Sequence, residues 1–131
     1  MKKTGVLNSN ISEVIACMGH MDVLTICDAG LPIPATTCRI DLAIHPGLPG
    51  LLDVLKAVAS ELEVEMIIMA EEIRERSPKM EEEIKKLFPD IKVDYIPHED
   101  FKKKCANSRA IIRTGEFTPY ANVMLVSGVC F

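Results

Sequence analysis

The sequence contains no tryptophan and has only two tyrosines and four phenylalanines. It also lacks any run of about 18 consecutive apolar residues, the length that a transmembrane helix needs. The first ten residues, MKKTGVLNSN, become polar too early for a secretory signal peptide. These absences predict a cytoplasmic protein without a membrane segment.

Metal-binding and disulfide-forming patterns are also missing. The five cysteines, at positions 17, 27, 38, 105 and 130, include no CxxC pair and no cluster with histidine. Their odd number and irregular spacing are typical of reduced thiols, most of which sit among apolar neighbours. The three histidines are scattered at positions 20, 45 and 98. We therefore expect no metal site.

No basic stretch is present that would suit a nucleic-acid backbone. Fifteen lysines and arginines face 19 acidic residues, a net charge of −4, and the two signs are mixed in EEIRER and EEEIKK. The composition is 48% hydrophobic, which is slightly apolar for 131 residues. Because small domains expose much of their surface, apolar residues in excess are often buried between subunits. The apolar composition therefore favours a homo-oligomer, and the mixed charges argue against nucleic acid as a partner.

Strand and helix patterns alternate along the chain without a repeat or a linker. Continuous apolar or alternating segments predict strands at 23–27, 39–44, 65–70, 91–96, 110–113 and 122–126. Capping residues and helical spacing predict helices that start at Asn10, after HPGLPG, at Ser77–Pro78 and at His98. The pattern predicts one domain, residues 1–131, with a three-layer αβα architecture and a mixed, largely parallel sheet.

Polar groups follow three of the predicted strands, where ligands collect in open α/β sheets. Asp28 comes after VLTIC, His98 after DYIP, and the loop after AIIR contains Tyr120 and Asn122. Each has a plain structural explanation as well, because aspartate, asparagine and proline form turns and His98 could simply begin a helix. Arg113 and Glu116 of the same loop are expected to pair with each other.

His20 follows the first predicted helix and has two readings. A histidine at the carboxyl end of a helix is stabilised by the helix dipole, and the same field would keep a proton available for transfer. With Asp28, His98, Tyr120 and Asn122 it forms a set that suits proton transfer on a small, neutral, hydroxylated ligand. His45 is expected to be a surface-loop residue, and HPGLPG lacks the lysine of a phosphate-binding loop.

Several motifs together resemble one family. They are LNS near the start, GH at 19–20, DAGLPIP at 28–34, PGLPG at 46–50 and RTGEFTPYAN at 113–122. The combination is similar to the D-ribose pyranase family of ribose mutarotases, which are related to L-fucose mutarotases. The resemblance extends from residue 1 to residue 131, although apart from PGLPG the region between RIDLAI and the third helix carries no matching motif.

The resemblance implies cofactor-free interconversion of β-D-ribopyranose and β-D-ribofuranose, which supplies the furanose to ribokinase. It also implies a cytoplasmic, ring-shaped homodecamer with its sites at subunit interfaces. By the matching motifs, His20 is the proton donor, and Lys102 is a further candidate for the site. The sugar-binding residues implied are Asp28, His98, Tyr120, Ala121 and Asn122.

Two other functions remain open from the sequence. A non-catalytic sugar-binding or regulatory subunit would use the same pocket, with His20 only as a hydrogen-bonding group. A mutarotase that prefers L-fucose would differ in the volume of its pocket, which the sequence does not give.

Overall fold

The computed structural model describes residues 1–131 and contains one six-stranded sheet with five helices. The strands are β1 (Val23–Cys27), β2 (Arg39–Asp41), β3 (Val64–Ala70), β4 (Lys92–Ile96), β5 (Ala110–Arg113) and β6 (Val123–Ser127). The helices are α1 (Ser9–Cys17), α2 (Leu51–Ala59), α3 (Ile73–Arg76), α4 (Pro78–Lys86) and α5 (His98–Cys105). None of the helices has both the length and the apolar character needed to cross a bilayer.

The sheet has the strand order β2-β5-β1-β6-β3-β4. Five strands are parallel to one another, and β6 runs antiparallel between β1 and β3. In the register, Ile26 of β1 faces Ile112 of β5 on one side and Val123 of β6 on the other. The predicted mixed, largely parallel sheet is therefore confirmed.

Side chains alternate between the two faces of the sheet, and both faces are covered. Leu24 and Ile26 of β1 belong to a core of 21 buried residues that includes apolar residues of α1, α2, α3 and α4. Cys27 belongs to a core of eight buried residues, to which α5 contributes Phe101 and Cys105. The result is the predicted three-layer arrangement, with four helices on one face and a single helix on the other.

The helices and strands differ from the expectations by more than one residue at three places. Helix α1 is capped by Asn8, whose Oδ1 accepts the N–H of Ile11 at 3.0 Å, rather than by Asn10. Strand β2 ends at Asp41 instead of residue 44, because the Asp41 carboxylate accepts the N–H of Ala43 and turns the chain. The short helix α3 was not expected at all.

The start of α4 follows the prediction in position but not in its cap. Pro78 is the first helical residue, as expected, but the Ser77 side chain makes no capping bond to the helix. Its Oγ instead donates to the carbonyl of Pro119, at 2.7 Å. Ser77 therefore ties α4 to the loop between β5 and β6.

Candidate functional site

A cavity of about 360 Å³ opens at the edge of the sheet where the parallel strands end. Its wall includes three of the residues selected from the sequence, Asp28, His98 and Tyr120. The remaining lining residues are Gly30, Leu31, Arg76 and Pro119. Sites for small molecules have volumes of roughly 300–1,000 Å³, so this cavity suits a small ligand.

A larger space of about 800 Å³ adjoins the cavity beside α4. The two share Arg76 and Pro119, but the larger one contains none of the residues selected from the sequence. Its side chains include no histidine and no tyrosine. The smaller cavity is therefore the candidate site, since a carboxylate, an imidazole and a phenol meet there.

Asp28, which lines the cavity, is held by Asn122, which does not line it. The backbone N–H of Asp28 donates to Asn122 Oδ1 at 2.9 Å, and Asn122 Nδ2 donates to Asp28 Oδ2 at 3.0 Å. The other carboxylate oxygen of Asp28 accepts the N–H groups of Gly30 and Leu31, both at 2.9 Å. Asn122 is fully buried, so the pair is rigidly placed before any ligand arrives.

Tyr120 and His98 form the side wall. Their rings meet edge to face, with centroids 5.0 Å apart and planes at 89°. Tyr120 has a φ of +60°, a left-handed conformation that is uncommon for a tyrosine. Bonds in the adjacent turn maintain it, since Ala121 N–H donates to Thr118 O at 3.2 Å and Asn122 N–H to Tyr120 O at 2.8 Å. Ala121 itself is buried.

His98 is the first residue of α5, and the carboxylate of Glu72, the residue before α3, fixes its backbone. Its N–H lies 3.0 Å and 3.2 Å from the two carboxylate oxygens of Glu72. The ring atom Nδ1 is buried and has no hydrogen-bond partner. Because Nδ1 is closed off, Nε2 is the ring nitrogen available to a ligand.

His20 lies at the opposite edge of the sheet. It precedes β1 whereas Asp28 follows it, and a five-residue strand alone spans about 15 Å. The side chain is half exposed, and its Nε2 lies 2.9 Å from Glu65 Oε2. Within one chain, His20 therefore does not reach the cavity that contains Asp28.

Lys102 also lies outside the cavity lining, and its Nζ pairs with Glu99 one turn earlier on α5. The expected pair of Arg113 and Glu116 is wrong. Arg113 Nη1 instead binds the carboxylate of Asp41, at 3.1 Å and 3.2 Å, because the parallel pairing of β2 with β5 places those residues side by side.

Two residues at α3, one in the helix and one just before it, were missed in the sequence. Arg76 lines the cavity, and Glu72 holds the backbone of His98. Both follow β3, so the rule that placed Asp28 and His98 at strand ends would have selected this segment as well. The alternating charges of EEIRER concealed it, because that pattern is typical of an exposed helix.

No group of three or more histidine, cysteine, aspartate or glutamate side chains is arranged to hold a metal ion. The polar groups that line the cavity are the Asp28 carboxylate, the Tyr120 phenol, the His98 imidazole and the Arg76 guanidinium. Such groups orient hydroxyls and move protons.

Known proteins match this chain over its whole length. It is 58% identical to a D-ribose pyranase of Lactobacillus gasseri and 52% identical to one of Clostridium perfringens, in each case over 131 residues and 100% of both chains. The structure of Bacillus subtilis RbsD complexed with D-ribose matches with a TM-score of 0.97 and 44% identity, covering 100% of both chains.

A more distant structure shares the fold. The fucose mutarotase of Streptococcus pneumoniae, in complex with L-fucose, matches with a TM-score of 0.83 and 20% identity over 95% of each chain. The profile of one protein family matches residues 1–130. The chain is a member of that family, the RbsD / FucU transport protein family.

Proposed function

We propose that this protein is a D-ribose pyranase, which interconverts β-D-ribopyranose and β-D-ribofuranose and supplies the furanose to ribokinase in the cytoplasm. Full-length identity of 51–58% to proteins named D-ribose pyranase supports the assignment. The observation that carries it is the cavity in which Asp28, held by buried Asn122, faces His98 and Tyr120. These groups suit an uncharged sugar with several hydroxyls.

The reaction requires ring opening and reclosure, without redox change and without a cofactor. The anomeric hydroxyl loses its proton while the pyranose ring oxygen gains one, which gives the open aldehyde. The C4 hydroxyl then adds to the carbonyl carbon and closes the five-membered ring. Positioning of the hydroxyls by Asp28, Tyr120 and Asn122 favours productive geometry.

His20 is the proton donor in this proposal, with a contribution of about 10²- to 10⁴-fold from general acid catalysis. Because ring exchange already proceeds slowly in water, only a modest lowering of the barrier is needed. The sugar-binding groups are Asp28, His98, Tyr120, Ala121 and Asn122. Lys102 has a weaker claim, since its ammonium is already paired with Glu99.

Because His20 does not reach the cavity of its own chain, we propose that the site forms only in an oligomer. A second copy must bring its own His20 to the cavity of the first, which is a head-to-tail contact between opposite edges of the sheet. Both edges carry exposed apolar side chains that suit burial: Met21 beside His20, and Ile44, Leu48 and Phe117 near the cavity edge. Head-to-tail contacts that close form a ring, and we propose the homodecamer of the family.

The test is the exchange rate of D-ribose, measured by NMR saturation transfer with buffer, the wild-type protein, His20→Ala and the control His45→Ala. His45 is exposed and lies outside the proposed site. Exchange that is accelerated by the wild type and the control, and lost in His20→Ala, is expected.

Each other result has a definite meaning. Rates equal to buffer would reject D-ribose as substrate, and L-fucose would be tested in the same way. Binding of ribose without acceleration would indicate a sugar-binding subunit. Acceleration that survives His20→Ala would remove the acid assignment and keep the function.

A further inference from the structure

The carboxylate of Glu116 is saturated with hydrogen-bond donors. Its Oε2 accepts the N–H of Leu51, the first residue of α2, at 3.1 Å. Its Oε1 accepts the N–H groups of Phe117 and Thr118 at 3.2 Å and 3.1 Å, and the hydroxyl of Thr118 at 2.7 Å. One side chain therefore joins the start of α2 to the segment that leads into Tyr120.

The backbone around Glu116 meets the other loop of the site. Its carbonyl accepts the N–H of Ala29, next to Asp28, at 2.9 Å. The preceding residue, Gly115, packs so tightly that a Cβ there would lie 2.4 Å from the carbonyl oxygen of Leu48. Only glycine fits at this position, beside the loop that contains Leu48. The bond from Ala29 to the Glu116 carbonyl keeps the Asp28 loop and the Tyr120 loop in contact.

Thr118 connects Glu116 to the turn that contains Tyr120. Its carbonyl accepts the N–H of Ala121, which closes the turn in which Tyr120 has a positive φ. A residue in that conformation needs support from its surroundings. The support begins at Glu116, because its carboxylate holds both the N–H and the hydroxyl of Thr118.

The negative charge of the Glu116 carboxylate is needed for these hydrogen bonds. Burial alone would raise the pKa of this carboxyl, but hydrogen bonds from the Thr118 hydroxyl and from the N–H groups of Leu51, Thr118 and Phe117 together lower it. All four partners are donors. A glutamine at position 116 would turn its NH₂ group towards some of them, which leaves donors facing donors.

We propose that Glu116 is a positioning residue for the sugar site, setting the placement of Tyr120 and Asn122 relative to Asp28. Glu116 borders a space of about 380 Å³ that shares Asp28 with the cavity, but it does not line the cavity that contains His98 and Tyr120. Both of its carboxylate oxygens are already bonded to protein donors, so it acts through these residues rather than on the sugar. The inference rests on the proposed function for its kinetic consequence. Its structural consequence is independent of any ligand.

The first experiment compares D-ribose exchange by the wild type, Glu116→Gln and the control Glu83→Gln. Glu83 borders the same larger space as Glu116 but bonds to Lys86 on its own helix. We expect kcat/KM to fall about 10- to 100-fold in Glu116→Gln, since small displacements of site groups have effects of that size. The control should remain within about twofold of the wild type.

A double-mutant cycle separates positioning from general damage. If Glu116 acts through Tyr120, the cost of Glu116→Gln should be much smaller in a Tyr120→Phe background than in the wild type. Costs that simply multiply would overturn the proposal. Thr118→Val removes a single bond to Glu116 and serves if Glu116→Gln does not fold; it should lower kcat/KM in the same direction, several-fold.

Hydrogen exchange followed by mass spectrometry tests the same idea without ribose. In Glu116→Gln and Thr118→Val, amides of residues 117–122 should exchange faster, while those of β6 stay protected. Unchanged exchange in 117–122, or kcat/KM within twofold of an active wild type, would overturn the proposal. An inactive wild type would reject the pyranase function alone, and hydrogen exchange would then decide for or against Glu116.

Discussion

Asp28 and Asn122, 94 residues apart in the sequence, form two hydrogen bonds with each other. The N–H of Asp28 donates to the side-chain oxygen of Asn122, and the side-chain NH₂ of Asn122 donates to the carboxylate of Asp28. One follows β1 and the other precedes β6, and these strands are neighbours in the sheet. The pair therefore joins two loops of the site directly at the sheet edge. Buried polar pairs of this kind contribute to a unique arrangement when every partner is satisfied.

Removing one partner should therefore be costly. In Asn122→Ala, the N–H and one carboxylate oxygen of Asp28 lose their partner, and we expect the free energy of unfolding to fall by about 1–3 kcal/mol. Affinity for D-ribose should fall as well. Urea denaturation and ribose titration measure the two effects. Asn107→Ala, at an exposed position, is the control, and an equal loss there would contradict the explanation.

Glu72 should matter because it holds the amide of His98. Glu72→Ala removes the acceptor at the start of α5, and a loss of about 1 kcal/mol is expected from comparable helix caps. Glu72→Gln keeps an acceptor oxygen and should retain most of the stability and ribose exchange. The matched control is Glu71→Ala, an exposed neighbour. Equal behaviour of the Ala and Gln variants at position 72 would refute this role.

Stability should fall in acid partly because of Asp22. Hydrogen bonds from the Gly19 N–H and from Arg109 hold the pKa of Asp22 below its ordinary value of 3.8. A carboxyl with a lowered pKa in the folded state stabilises the fold above its ordinary pKa, and this contribution is lost as pH falls through the folded value.

The stability difference between wild type and Asp22→Asn should accordingly be present at neutral pH and disappear in acid. Urea midpoints measured from neutral pH down to below 3.8 test this. Asp90→Asn, exposed and in no ion pair, is the control. A difference that grows towards low pH would show that the sign is wrong.

Shared sites predict complementation between inactive variants. His20→Ala retains its cavity and Asp28→Ala retains its imidazole, so an equal mixture, unfolded and reassembled, should recover about a quarter of wild-type activity if each site uses two subunits. Each variant reassembled alone should remain inactive. A mixture no more active than its components would place His20 outside a shared site.

Apolar runs gave the most accurate predictions along the sequence. VLTIC became β1 with its predicted ends, and EMIIMA became β3 with one added residue, because buried central strands are apolar throughout. Helix α3 was not predicted because only one of its four side chains, Ile73, is buried, and one apolar residue cannot form a periodic pattern. Strand β2 ends before its predicted boundary because the Asp41 side chain accepts the N–H of Ala43 and starts a turn. A hydropathy pattern does not reveal such a bond.

The candidate site was predictable in part for a topological reason. Parallel strands end at one edge, so Asp28, His98 and Tyr120 could be grouped from their positions after strands, and the structure brings them to one cavity. Their roles remain predictions. The partner of Arg113 depended on which strand lies beside β5, and the distance of His20 depended on which edge it occupies. The first does not follow from order along the chain, whereas the second does, because His20 and Asp28 flank the two ends of β1.

Strand β6 is the sixth to be synthesised, yet it occupies an interior position in the sheet. Until it emerges from the ribosome, β1 and β3 each present a row of unpaired backbone groups, and the halves β2-β5-β1 and β3-β4 have no strand between them. Open edges of this kind invite pairing with other chains. Nascent copies on the same messenger are therefore most prone to aggregation just before β6 is made, and Asn122, the partner of Asp28, arrives directly ahead of the strand that closes the sheet.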